Sequence, residues 1–148
     1  MTMTGLVARY ADAWNAHHPE ACADCFAPDG ERVWRVLAPP HVGGDPFPRF
    51  RGREAVREGI AAFVASGPDL VVDVTALSDG SDGRIWIEWR LSGTHLHDLG
   101  PWPARGEHVD FVGVSIFTQG DQGFAEERLY WDQLLMTGPP AAVSAAGG

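Results

Sequence analysis

The residues best able to move protons near neutrality lie at the ends of two alternating segments. In Arg128-Leu129-Tyr130-Trp131-Asp132-Gln133-Leu134, a strand places Arg128, Tyr130, Asp132 and Leu134 on one face. If that face is internal, Asp132 is a carboxyl among aromatic rings, and loss of hydration disfavours its charged form. A carboxyl tuned to a pKa of about 6 to 7 gives and takes protons near neutral pH. Asp132 is therefore a candidate catalytic residue; the competing reading is a structural carboxylate paired to an arginine. In the second segment Ile85, Ile87, Trp89, Leu91 and Gly93 share a parity that leads to His95, a candidate acid, base or hydrogen-bond donor. A lone histidine at a strand end is more often a surface residue.

Around these groups the sequence offers an aromatic lining. Tyr10, Trp14, Trp34, Phe63, Trp89, Phe111 and Tyr130, with Leu91, sit at spacings that could face one cavity and are candidate substrate-binding residues. Such residues also make ordinary core.

The composition removes several other chemistries. All eleven basic residues among the 148 are arginine, so a lysine Schiff base and a phosphate-binding P-loop lysine are both excluded. A formal charge of −9 without a basic run offers no footprint for nucleic acid or an anionic membrane. Cys22 and Cys25 form a lone C-x-x-C. A zinc site needs about four ligands, and only His17 and His18 lie nearby, so two small residues packed in a helix is the preferred reading. No metal is expected. There is no G-x-S-x-G elbow. The first twenty residues lack the apolar core of a signal peptide and no run approaches the roughly 20 residues of a membrane span, so a cytoplasmic protein is expected.

These side chains need elements to hold them. Leu6, Tyr10, Ala13 and Trp14 recur at helical spacing, predicting a helix over about 5–17. Pro19 opens a short second helix ending near Phe26, and Val56, Ile60, Phe63 and Val64 predict a third over 52–66. A brief strand is expected around 32–36. Later the period becomes two, in strands near 70–76, 84–94, 107–118 and 124–136, with turns at 78–83 and 120–123. Two Pro-rich stretches, 37–50 and 96–106, read as loops, and loops that long tend to be lids or binding loops. The order predicts an α+β fold: a curved antiparallel sheet wrapped around about three helices from the N-terminal half, forming a cone with an internal pocket. One domain over 1–137 is expected, with residues 138–148 as a disordered tail.

Five segments then carry a resemblance: YADAWN at 10–15 with FAPDG at 26–30, FRGREA at 50–55, WRLSGTH at 89–95, and YWDQL at 130–134. In order and spacing, from about Val7 to Leu135, they resemble the SnoaL-like polyketide cyclases of the nuclear-transport-factor-like superfamily of α+β cones. The resemblance implies a homodimeric, cofactor-free enzyme in which the aspartate matching Asp132 is the general acid/base of ring closure. The two loops are longer or richer in proline and aromatics than a minimal member needs, and are expected to act as lids for a large apolar substrate.

The leading expectation is thus a cyclase that folds a flexible polyketide in the cone and closes a ring, by aldol chemistry through Asp132 with His95 or Tyr130 at the enolate, or by shape-enforced pericyclic or dehydrative closure. A second reading is an epoxide hydrolase or dehydratase of the same fold, with Glu88, Arg90 and Asp132 around a water. Strand parity separates the two: Trp89 inside favours the cyclase, Arg90 inside favours water activation. A third is a non-catalytic binding or dimerisation module, which predicts a filled cone without interior polar groups. A pocket of roughly a few hundred Å3 containing Asp132 would oppose it, because concave, mostly apolar cavities with few polar groups are how small-molecule sites look.

Overall fold

The computed structural model describes residues 1–36, 47–100 and 102–132. The first helix, α1 (Met3–Asn15), starts where the Thr2 hydroxyl accepts the Gly5 N–H at 3.0 Å. It turns Val7, Tyr10, Ala13 and Trp14 inward. At its other end the Asn15 amide donates to the Val72 carbonyl and accepts the Val72 N–H, at 2.8 and 2.7 Å, so one side chain fixes the helix to the sheet. The short α2 (Pro19–Ala23) has Pro19 in its first turn, where no backbone N–H is missed, and packs on α3 (Arg53–Ser66). Helix α3 buries Val56, Ile60 and Phe63 along one stripe.

Six strands complete the fold: β1 (Phe26–Trp34), β2 (Arg49–Arg51), β3 (Val71–Asp79), β4 (Arg84–Thr94), β5 (His108–Gly120) and β6 (Gly123–Trp131). They form one sheet in the order β2-β1-β6-β5-β4-β3. The expected α+β cone is therefore present, with one correction: the sheet is mixed, because β1 runs parallel to β6. That pairing places Arg32 directly beside Glu127. Strand β1 also begins six residues earlier than the brief strand expected near 32–36.

The stretch expected as a second lid is anchored instead. Leu99 and Trp102 are fully buried, joined by reciprocal backbone hydrogen bonds of 2.9 Å, and the Trp102 ring stacks on Trp34 at 5.5 Å. Of the first expected loop, residues 49–50 fall in β2; positions 37–46 lie outside the described residues, as do Leu134 and the expected tail. No described helix is long and apolar enough to cross a membrane.

Candidate functional site

Strand β4 alternates along its length, so it offers one parity to the helices and the other to solvent. On β4 the inward set is Ile85, Ile87, Trp89 and Leu91; Glu88 and Arg90 face out. Arg90 is held on the surface by a two-point pair with Asp110, at 2.7 and 2.6 Å. The arrangement of Glu88 and Arg90 that water activation required is thereby absent.

On β6 the expected parity is reversed. Glu127, Leu129 and Trp131 point inward, whereas Tyr130 is exposed and Asp132, just past the strand, is exposed too. Neither lines the internal cavity. The physical reason is local. Phe124 and Glu127 are both buried although three residues apart, and the β5 pairing slips at Thr118/Gln119, so a bulge shifts the alternation. From there the more apolar set, Leu129 with Trp131, takes the interior.

The cavity lies between α1, α3 and the concave sheet face. Its walls include Val7, Tyr10, Trp14, Phe63, Val72, Val74, Ile87, Trp89, Leu91, Leu129 and Trp131, with Arg32 and Glu127 as its charged members. Five expected lining residues are thus found there: Tyr10, Trp14, Phe63, Trp89 and Leu91. Trp34 and Phe111 are buried behind the wall, Trp34 against Trp131 and Phe111 edge-on to Trp89. The cavity volume is about 50 Å3, far below the few hundred that would have opposed a non-catalytic module.

The polar groups form a relay across four strands. Arg32 Nε donates to Glu127 Oε1 at 2.9 Å, and the Tyr10 hydroxyl donates to the same oxygen at 2.7 Å. Ser115 Oγ donates to Glu127 Oε2 at 2.8 Å and accepts from Trp89 Nε1 at 2.9 Å. Register explains the reach: Arg32 is the direct neighbour of Glu127, and Trp89 of Gly113. A Cβ at Gly113 would lie 2.2 Å from the Trp89 ring, so only glycine lets the indole cross β5 to Ser115.

Electrostatics follow from burial. Arg32 and Glu127 are 3% and 4% exposed, and an ion pair there survives only if its hydrogen bonds are supplied internally. Burial pulls the Arg32 pKa down, but Tyr10 and Glu127 outweigh it and the net shift is upward. Tyr10 is raised well above the ordinary phenol range, first by burial and then by the Glu127 charge, so it stays a neutral donor. The guanidinium carbon also sits 5.2 Å from the Trp14 ring centre.

His95 does not join this group. It is buried beside a second, smaller cavity that shares Phe63 and Leu91 with the first, and neither ring nitrogen meets a hydrogen-bond partner among the described residues. Burial lowers its pKa, against smaller opposing effects of the His97 backbone and Asp98. Cys22 and Cys25 are free, buried thiols, and burial pushes Cys22 up to about 12, which suits packing and not reactivity. No group of three or more metal-ligating side chains exists among the described residues.

The model of the SnoaL-like domain matches residues 7–127, which includes every member of the relay. The chain belongs to the SnoaL-like family. Solved structures agree with this SnoaL-like fold. A candidate SnoaL-like polyketide cyclase from Jannaschia sp. CCS1 is 19% identical, with 93% of each chain covered and a TM-score of 0.74. AclR from Streptomyces galilaeus, described as a candidate hydroxylase, is 16% identical over 93% of this chain and 97% of its own, at 0.69. A Catenulispora acidiphila protein with a ketosteroid isomerase-like fold, bound to trimethylamine, is 19% identical over 91% and 93%, at 0.70. No curated protein matches this SnoaL-like chain.

Sequence reasoning missed Arg32, Ser115, Glu127 and Trp131. The signal was available: Glu127 shares a parity with Leu129 and Trp131, and Arg32 shares one with the buried Trp34.

Proposed function

We propose that this SnoaL-like protein is a cofactor-independent cyclase that closes a ring in a polyketide or related natural-product intermediate, with Glu127 in the place first given to Asp132. The observation that carries the reading is a buried carboxylate lining an aromatic cavity. In an aldol closure Glu127 takes the proton from a carbon next to a carbonyl, leaving an enolate. The enolate carbon attacks a second carbonyl to form the C–C bond, and the new alkoxide recovers the proton from Glu127. No redox partner is required. Holding the two carbons in near-attack geometry supplies much of the rate.

The family and its neighbours support a polyketide substrate. The cavity is smaller than such a substrate, so the walls must part around it. Interior charge and hydrogen bonding count against a merely filled module, and inward Trp89 with outward Arg90 counts against the hydrolase reading. We also propose a cytoplasmic homodimer working in antibiotic or other secondary metabolism. Exposed Trp86, Val112 and Tyr130 on the outer sheet face suit a second copy, which sedimentation of the purified protein tests.

The decisive experiment is ring closure by Glu127→Gln on a polyketide intermediate that the wild type converts. Loss of about a hundredfold or more is expected of a proton-transfer residue. Retained activity would transfer the reaction to shape alone.

A further inference from the structure

The relay leaves donors over. Arg32 spends Nε on Glu127, while Nη1, in a side chain 4% exposed, has no hydrogen-bond partner among the described residues; the same holds for Trp131 Nε1. Both residues line the cavity. The Trp34 ring joins them, 6.0 Å from the guanidinium carbon and 5.5 Å from the Trp131 ring centre. Buried N–H groups are rarely left unpaired, and two that belong to residues lining one cavity, next to a carboxylate, ask for an acceptor from outside the chain.

We infer that Arg32 Nη1 and Trp131 Nε1 form the anchor for a neutral carbonyl oxygen of the ligand, placing its neighbouring carbon toward Glu127. This rests on the cyclase reading and gives it a substrate feature. Charge selects a neutral carbonyl over a carboxylate. Among the described residues the cavity holds one positive and one negative group, already paired, and Tyr10 is a neutral phenol. An incoming carboxylate would bring an uncompensated charge into an apolar space. A ketone enters uncharged. When Glu127 removes the adjacent proton, the C–H electron pair moves to the oxygen, and the negative charge transferred from Glu127 then lies beside Arg32. Donors set where charge develops favour the enolate over the ketone.

The test compares three probes of one size on the full chain: α-tetralone, its hydrocarbon tetralin, and 2-naphthoate. A merely apolar cavity would prefer tetralin, the most water-averse. The anchor predicts the reverse, with tetralone bound roughly tenfold or more tightly over tetralin and naphthoate, a downfield shift of the Trp131 indole N–H signal with tetralone alone, and a bound carbonyl stretch below its value in hydrocarbon solvent. Arg32→Met should abolish preference and stretch shift. Because that variant strands Glu127, the wild-type stretch and indole signal stand as independent readouts. Tetralin binding as well as tetralone, a hydrocarbon-like stretch, or preferred naphthoate would each overturn the anchor while leaving the Glu127 test of cyclisation intact. Failure of all three probes to bind would overturn the anchor, and the Glu127 test of cyclisation would still decide the cyclase reading.

Discussion

Two arginine–carboxylate pairs sit on opposite faces of the same sheet, and they teach different things. Arg90 and Asp110 meet through two short hydrogen bonds in solvent, their side chains 58% and 38% exposed. Arg32 and Glu127 meet through one, at 4% and 5%. By contact geometry the surface pair is better. Yet water screens it and would solvate either partner alone, whereas the interior pair has no substitute for what it loses. The buried pair consequently fixes structure and can do chemistry, while the exposed one decorates a strand.

The sharpest way to break this contrast is to remove half of the buried pair. Arg32→Met alone should cost about 3–5 kcal/mol in denaturant unfolding because Glu127 is left as an unpaired buried charge. Combining it with Glu127→Leu should recover most of that loss, since apolar replacement of both partners is often neutral. If the single variant is as stable as wild type, the interior is wetter than described. Next in size is Gly113→Ala. The added methyl collides with the Trp89 indole, and overpacking of this kind costs about 1–3 kcal/mol; loss of the Trp89 indole N–H signal position in NMR would report that the link to Ser115 had broken.

A smaller effect should appear in acid. Native His95 has a pKa below its ordinary 6.5, so between the two values the unfolded chain binds a proton that the folded one refuses. Stability therefore falls as pH drops below about 6.5, and His95→Leu should flatten that limb of a Tm-against-pH curve. The least change of all is expected from Arg90→Ala. It should move Tm barely, and any small difference should vanish in high salt. A large loss there would erase the distinction between the two faces.

The sequence made the helices and the hairpins legible because their signals are local: helical spacing through Tyr10 and Trp14, alternation through Ile85 to Leu91, glycine-rich turns. The third helix is found within one residue of its expected start. The inner lining was legible only where the alternation ran unbroken. On β6 a bulge that no local pattern announces moved the parity, and attention fell on Asp132 because a carboxyl next to aromatic residues suggests chemistry. Comparing side chains by hydropathy would have chosen Leu129 and Trp131 for the interior, and Glu127 with them. The parallel pairing of β1 with β6 is different in kind. It depends on how distant segments dock, so nothing in either segment alone brings Arg32 beside Glu127.

That pairing has a consequence for how the molecule comes into being. Arg32 and Glu127 are separated by 95 positions along the chain, and closing so long a loop is entropically slow, to be compensated only by contacts made afterwards. While the chain emerges from a ribosome, the guanidinium exists long before its counter-charge. The ion pair therefore arrives with the docking of β6 in a single event, and a chain in which that strand has not yet docked holds the walls from α1, α3 and β4 with the Arg32 charge still uncompensated.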